Sequence, residues 1–227
     1  MSGRPSTDRF TFAPEDRLPA VLAVIGSARK RLLLSLFRCD DFDILDALAA
    51  ALQRGVTVEV LVTSRAKGWT KRLRELWGVL EGMGAKLYRS ADPVVKYHAK
   101  YIVADNGPAL VASLNFTRKC FTSTVDFVLT TRDPVVVTGL RRLFVADSRR
   151  PEPARVASFG RRLIVDGAVA VIGSMSLSAL SLDFRREVAV IVRDRALVGE
   201  MRRVCESLAA RKPARPVKPA RPVKPVR

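Results

Sequence analysis

Histidine is almost absent from this sequence. Among 227 residues only His98 carries an imidazole, which excludes any metal site assembled from several histidines. Cysteine is scarce as well. Cys39, Cys120 and Cys205 lie far apart with no CxxC pair, so neither a disulfide framework nor a cysteine-rich zinc site is expected, and the thiols read as reduced and mostly buried. The opening stretch MSGRPSTDRFTFAPEDR lacks the apolar centre of a signal peptide. No run of about 18 apolar residues offers a bilayer span. These absences point to a cytoplasmic protein, peripheral to a membrane at most. Acid is the remaining deficit: 40 Lys and Arg face 22 Asp and Glu, for a net charge of +18. The last 17 residues hold seven cations and no acid, which leaves +18 minus 7, or +11, on residues 1–210. A body that basic attracts polyanions, whether nucleic acid, anionic lipid or a phosphorylated ligand.

What is present is a globular balance of 48% hydrophobic and 27% charged residues, enough for one large domain or two small ones. Leu18, Val21, Leu22 and Ile25 recur at helical spacing within 14–30, and RLLLSLF (31–37) suits a buried strand. Asp43 is placed to cap a helix through Leu52 that Gly55 ends. VTVEVLVT (56–63) reads as a second buried strand parallel to the first, a basic amphipathic helix follows over about 69–82, and AKLYR (85–89) is a third strand. This is β-α-β-α-β, an α/β layer. HAKYIVAD (98–105) and PALVAS (108–113) then read as a hairpin turning at Asn106-Gly107, DFVLTTRD (126–133) as a strand, and Pro134 opens a helix to about Asp147.

The pattern then returns. RRLIVDGAVAVIGS (161–174) reads as two strands about Asp166-Gly167, EVAVIVRD (187–194) as a strand, and 195–210 as a helix. Asp105 to Asp166, Ser113 to Ser174, Arg132-Asp133 to Arg193-Asp194 and Arg141-Arg142 to Arg202-Arg203 are each separated by 61 residues. A gapless repeat of hairpin, strand and helix implies two copies of one unit. They are unequal, because only the first is preceded by the α/β layer. The division expected is an N-terminal segment 1–14, a main lobe 15–148, a shortened second lobe 149–210 and a tail 211–227. In the tail Pro and Arg or Lys both recur every third residue. That is the polyproline II period, so one edge would carry cations roughly 9 Å apart. A disordered tail that tethers the chain to nucleic acid or an anionic membrane is the reading adopted.

The chemistry gathers about the histidine. On a strand His98 and Lys100 share a face, and Ser113 and Asn115, at the end of the paired strand, have the same spacing. An ammonium and an amide hold phosphoryl oxygens, and an imidazole attacks phosphorus or moves a proton. The bland alternative is a strand with chance polar residues.

These residues resemble the HKD motif of the phospholipase D superfamily, HxKxxxxD followed by GSxN. Here it stands as His98-Ala-Lys100-Tyr-Ile-Val-Ala-Asp105 and then Ser113-Leu-Asn115, with Ala112 at the usual Gly and Asp126 where the family often places Glu. The lead-in SARKRLLLSLF and DALAAALQRGVTVEVLV is similar too. The second copy resembles a degenerate motif: Phe159 at the histidine position, Arg161 at the lysine, Asp166 at the aspartate, Ser174 at the serine, Ser176 at the asparagine, and the family's later Glu187. The resemblance implies a mixed sheet flanked by helices on both faces, catalysis by His98, Lys100 and Asp105, and phosphate binding by Lys100, Ser113, Asn115, Arg161 and Ser174. It also implies chemistry without a metal or other cofactor. In the family one histidine attacks phosphorus and a second, from a facing motif, protonates the leaving alcohol. This chain has one histidine, so either a homodimer supplies a second His98 or catalysis is impaired. The activity implied is a phosphodiesterase or phosphatidyltransferase, cardiolipin-synthase-like and acting on phospholipid. The alternatives are a nuclease of the same superfamily and a non-catalytic module that binds phosphodiesters in DNA or membranes.

Overall fold

The computed structural model of the protein describes residues 8–90, 96–149, 164–165, 168–174 and 185–211. Phe159, Arg161, Asp166, Ser176 and the tail from Lys212 lie outside them. The α/β layer forms as its periodicities predict, with α1 (Pro14–Ser27), β2 (Arg31–Leu36), α2 (Phe42–Gln53), β3 (Thr57–Thr63), α3 (Thr70–Gly82) and β4 (Lys86–Ser90). One boundary is corrected. The helix α2 begins at Phe42 with Asp41 at its N-cap position, so Asp43 sits in the first turn, where its charge faces the positive end of the helix. Gly55 ends it at φ +80°, as a glycine can. A strand the sequence did not suggest, β1 (Arg9–Thr11), precedes α1; three residues are too few to show a period.

The rest of the first copy is β5 (Lys96–Tyr97), β6 (Tyr101–Ala104), β7 (Ala109–Ala112), α4 (Arg118–Thr122), β8 (Val128–Thr131) and α5 (Pro134–Arg149). Seven strands form one mixed sheet in the order β1-β8-β7-β6-β2-β3-β4. Strands β2, β3 and β4 are parallel, while β6, β7, β8 and β1 follow antiparallel from β2. Both faces are covered, which explains why RLLLSL is apolar without alternation. Leu32, Leu34 and Leu36 join Val58, Val60, Val62, Ile102 and Leu110 against α1, α2 and α3. Leu33, Leu61, Val103, Val111 and Leu129 lie on the opposite face, with Val137, Leu140 and Phe144 of α5.

The second copy is β9 (Ile164–Val165), β10 (Val169–Gly173), β11 (Arg185–Arg186), β12 (Ala189–Val192) and α6 (Arg195–Arg211). Its pairings repeat those of the first at the 61-residue offset. Ala112↔Val128 becomes Gly173↔Ala189, and Ala109↔Thr131 becomes Ala170↔Val192. Asp133 bonds the first N–H groups of α5 as Asp194 bonds that of Leu197 in α6. Burial separates the copies. Strand β7 is buried throughout, whereas β10 and β12 alternate, with Ala170, Ile172, Val190 and Val192 inward. Among the described residues the second copy has no α/β layer of its own to cover its other face, and its inner face closes on the first copy in one shared core.

Candidate active site

His98 and Lys100 were expected on a strand. They occupy instead the link between β5 and β6, because the chain changes partners there. Strand β5 pairs in parallel with β11 of the second copy, and the His98 N–H donates to Arg186 O at 2.8 Å. Lys100 O already accepts from Ala112 N, at 3.0 Å, in line with β7. A partner 89 residues downstream in sequence leaves no local trace, so the sequence reads one unbroken strand. Ser35 pins the link to β2: its hydroxyl donates to Ala99 O at 2.9 Å and lies 3.0 Å from the Tyr97 hydroxyl.

The two side chains converge as expected. Lys100 Nζ lies 3.0 Å from His98 Nδ1 and 3.1 Å from Nε2, and donates to His98 O at 2.7 Å. The Phe37 ring meets the imidazole edge-on with centroids 4.6 Å apart, and its centroid is 5.5 Å from Lys100 Nζ. From the second copy, Glu187 Oε2 accepts from His98 Nδ1 at 2.9 Å. That bond assigns the tautomer: Nδ1 carries the proton and Nε2 keeps the lone pair. Burial lowers the pKa of His98, assisted by the Lys100 charge and opposed by the Glu187 hydrogen bond. Burial also pushes Lys100, only 1% exposed, down to about 7, although Glu187 works the other way.

The serines are arranged by the repeat. Ser113 Oγ donates to Asp126 Oδ1 at 2.7 Å and accepts from Phe127 N at 3.0 Å. Ser174 Oγ donates to Glu187 Oε2 at 2.6 Å and accepts from Val188 N at 3.2 Å. Both hydroxyls thus hold a carboxylate, and Ser174 acts through Glu187 on His98. Asn115 precedes Phe116, whose backbone bonds Arg38 and Asp40 just beyond β2. The Asn115 Oδ1 is buried and unpaired among the described residues. A clamp absent from the sequence reading joins the copies: Arg186 meets Asp147 of α5 at 2.6 Å, half a bidentate pair completed by Nε at 3.3 Å. In the sequence Asp126 is noted only as standing where the family often has Glu and is given no role, although 126 plus 61 is 187, and that offset pairs it with Glu187.

Asp105 lies apart from these groups, five residues along β6 from Lys100, roughly 16 Å at strand rise. In the left-handed region at φ +49°, it accepts from the backbone N–H groups of Arg29, Lys30 and Arg31 at 2.8, 2.9 and 2.7 Å. Burial works to raise its pKa, but the three N–H donors outweigh that and hold it below the usual carboxylate value. Its place in the motif is therefore as an anchor between the hairpin turn and the entry to β2. Asp105→Ala is expected to lower stability by about 1–3 kcal/mol, with kcat of the folded protein unchanged; a denaturant melt and an assay on one preparation separate the two roles. Because its folded pKa is depressed, its contribution is present at neutral pH and is lost as pH falls through the folded value.

For Lys100 stability also rises with pH, but over a higher window. With a folded pKa near 7 against 10.5 for the free side chain, the unfolded chain binds more protons between those values, so stability rises with pH across that window. Lys100→Met is expected to raise the denaturant midpoint at pH 6 and to lose that advantage by pH 10. Equal shifts at both pH values would contradict the buried ammonium.

Among the described residues no three His, Cys, Asp or Glu side chains form a metal-binding group, and no helix is long and apolar enough to cross a membrane. An oriented imidazole, a buried ammonium and a carboxylate brought from the second copy thus meet at the link between β5 and β6. The chain belongs to the family described as cardiolipin synthase, PLD-like domain, whose pattern it matches over residues 21–148. It is 27% identical over 151 residues to cardiolipin synthase A of Erwinia tasmaniensis, covering 63% of this chain and 31% of that protein. Against cardiolipin synthase A of Pectobacterium carotovorum it is 31% identical over 108 residues, covering 45% and 21%. The chain thus spans under a third of the length of these relatives. The solved structure of the phospholipase D family member Nuc from Salmonella typhimurium superposes with TM-score 0.56 at 22% identity, covering 63% of this chain and 94% of that one. NucT from Helicobacter pylori gives 0.53 at 14%, covering 63% and 96%. These two likenesses concern the fold.

Proposed function

We propose that this chain is a phospholipid-directed phosphodiesterase or phosphatidyltransferase that works through a phosphoryl group carried on His98 Nε2. The observation that supports it is the hydrogen bond from His98 Nδ1 to Glu187, which leaves the lone pair on Nε2, 3.1 Å from the Lys100 ammonium. Neutral imidazole is the nucleophilic form, and burial favours it. As Nε2 attacks, negative charge gathers on the phosphoryl oxygens, where Lys100 and the Asn115 amide are the expected donors. Glu187 stabilises the imidazolium character that develops as the N–P bond forms. The lipid preference rests on the family and on relatives named cardiolipin synthase A, each matched over only part of its length. The +18 net charge suits an anionic bilayer, with the basic tail as a tether to it.

A homodimer contributing a second His98 is the less favoured arrangement, since Glu187 of the same chain already holds Nδ1. The nuclease reading draws on the fold shared with Nuc and NucT. The test is turnover of phosphatidylglycerol vesicles and of DNA, side by side in chelator, with the protein then examined for acid-labile phosphate. Headgroup release and a phosphoryl adduct are expected with lipid. Cleavage of DNA alone would select the nuclease, and salt-sensitive binding without turnover would select the binding module.

A further inference from the structure

A phosphohistidine cycle needs two proton transfers at oxygen: one to the departing alkoxide and one from the attacking water or alcohol. The family divides the work between two histidines, and this chain has one. Resting on the phosphoryl transfer proposed for His98, we infer that Asp126 is the group that gives and takes the second proton.

The repeat carries the argument. The 61-residue offset that sends Ser113 to Ser174 sends Asp126 to Glu187, and the bonds agree on both sides: serine hydroxyl to carboxylate at 2.7 and 2.6 Å, backbone N–H to serine hydroxyl at 3.0 and 3.2 Å. Glu187 orients the imidazole of the opposite copy. By the same relation Asp126 is the carboxylate for an imidazole of the second copy, and the residue in that position of the sequence is Phe159. Asp126 is therefore a site carboxylate with no imidazole to orient. It is half-buried, its hydrogen-bond partners are the hydroxyls of Ser113 and Thr124, and it forms no salt bridge among the described residues. It also lies near Lys100.

The other titratable groups are poorly placed. In-line displacement puts the leaving oxygen opposite the attacking nitrogen, whereas Lys100 Nζ is 3.1 Å from that nitrogen, on the side of entry. Glu187 is behind the ring on Nδ1. Arg185 keeps its proton.

The Nε2 lone pair forms the N–P bond, the P–O bond to the alkoxide breaks, and the carboxylic acid form of Asp126 delivers its proton, directly or through one water, so that the alcohol departs. The Asp126 carboxylate then takes a proton from water as its oxygen bonds to phosphorus. The N–P electron pair returns to Nε2, the phosphomonoester leaves, and Asp126 is again protonated. With an alcohol as acceptor in place of water the same steps accomplish transfer.

The variant that tests this is Asp126→Asn, which keeps an oxygen acceptor for Ser113 but has no proton to exchange at that atom. Two phosphatidyl esters are compared, phosphatidylglycerol, whose alkoxide needs a proton, and the p-nitrophenyl ester, whose phenolate does not. Turnover of phosphatidylglycerol is expected to fall by about 10²–10⁴-fold. On the aryl ester the variant should still release one p-nitrophenol per chain in a burst, and then stall as phosphoenzyme because deacylation-like hydrolysis lacks its base. Loss of the nitrophenol burst along with turnover of phosphatidylglycerol would make Asp126 a positioning residue for Ser113 and overturn the proposal, as would undiminished turnover of phosphatidylglycerol. Wild-type protein that releases no nitrophenol and carries no phosphate would overturn the His98 reading, and this proposal with it.

Discussion

His98→Ala is expected to remove phosphodiester turnover by a factor on the order of 10⁴ or more and to abolish the acid-labile phosphoryl adduct. The size of the effect follows from the geometry. Among the described residues the imidazole is the nucleophile with a directed lone pair in the site, and no second histidine exists in the sequence to take its place. Folding should survive, because the alanine keeps the backbone bond from residue 98 to Arg186 O. The substitution also leaves Lys100 its bond to the residue 98 carbonyl. Binding of the substrate phosphate should therefore persist while chemistry stops, seen as near-normal retention on vesicles with no released headgroup. A variant that turned over within tenfold of the parent protein would sink the covalent mechanism.

The second large effect is structural. A methyl group on Gly173 would lie 1.9 Å from Val188 O and 2.6 Å from Ala189 Cα. Both atoms are backbone, so the strands β10 and β12 must separate to admit it. Gly173→Ala is expected to cost about 3 kcal/mol or more and to lower turnover in the fraction that still folds. The link to activity is direct: the β10–β12 register sets Ser174 against Glu187, and Glu187 orients His98. The first copy supplies the control, since its equivalent residue is Ala112, fully buried with its methyl group accommodated. A thermal melt with kcat measured below the transition decides the matter. A Tm within two or three degrees of the parent protein would show that the two strands give way easily.

The largest share of the fold was legible because it depends on short-range patterns. Buried strands such as VEVLV, the helical spacing of Leu73, Leu76 and Leu80, and Gly55 at a helix end are each written within ten residues. The repeat was legible for another reason: two copies of a unit must share inward-facing positions and cap residues, so Ser113 and Ser174, or Asp133 and Asp194, mark the same places. Reading His98 and Lys100 on one continuous strand failed because the ladder changes partner between them, and β11 is too far along the chain to leave a local signature.

From the sequence alone follow the α/β layer, the unequal repeat, the single imidazole with its lysine, and the excess of positive charge, all properties of residue type and spacing. Only the tertiary structure decided which groups act together. It brought Glu187 onto Nδ1, moved Asp105 away from the chemistry into a backbone anchor, and buried Lys100 deeply enough to draw its pKa to about 7. The physical reason is that hydrogen-bond direction and desolvation belong to the packed interface between the two copies, and neither exists until the chain has closed one copy on the other.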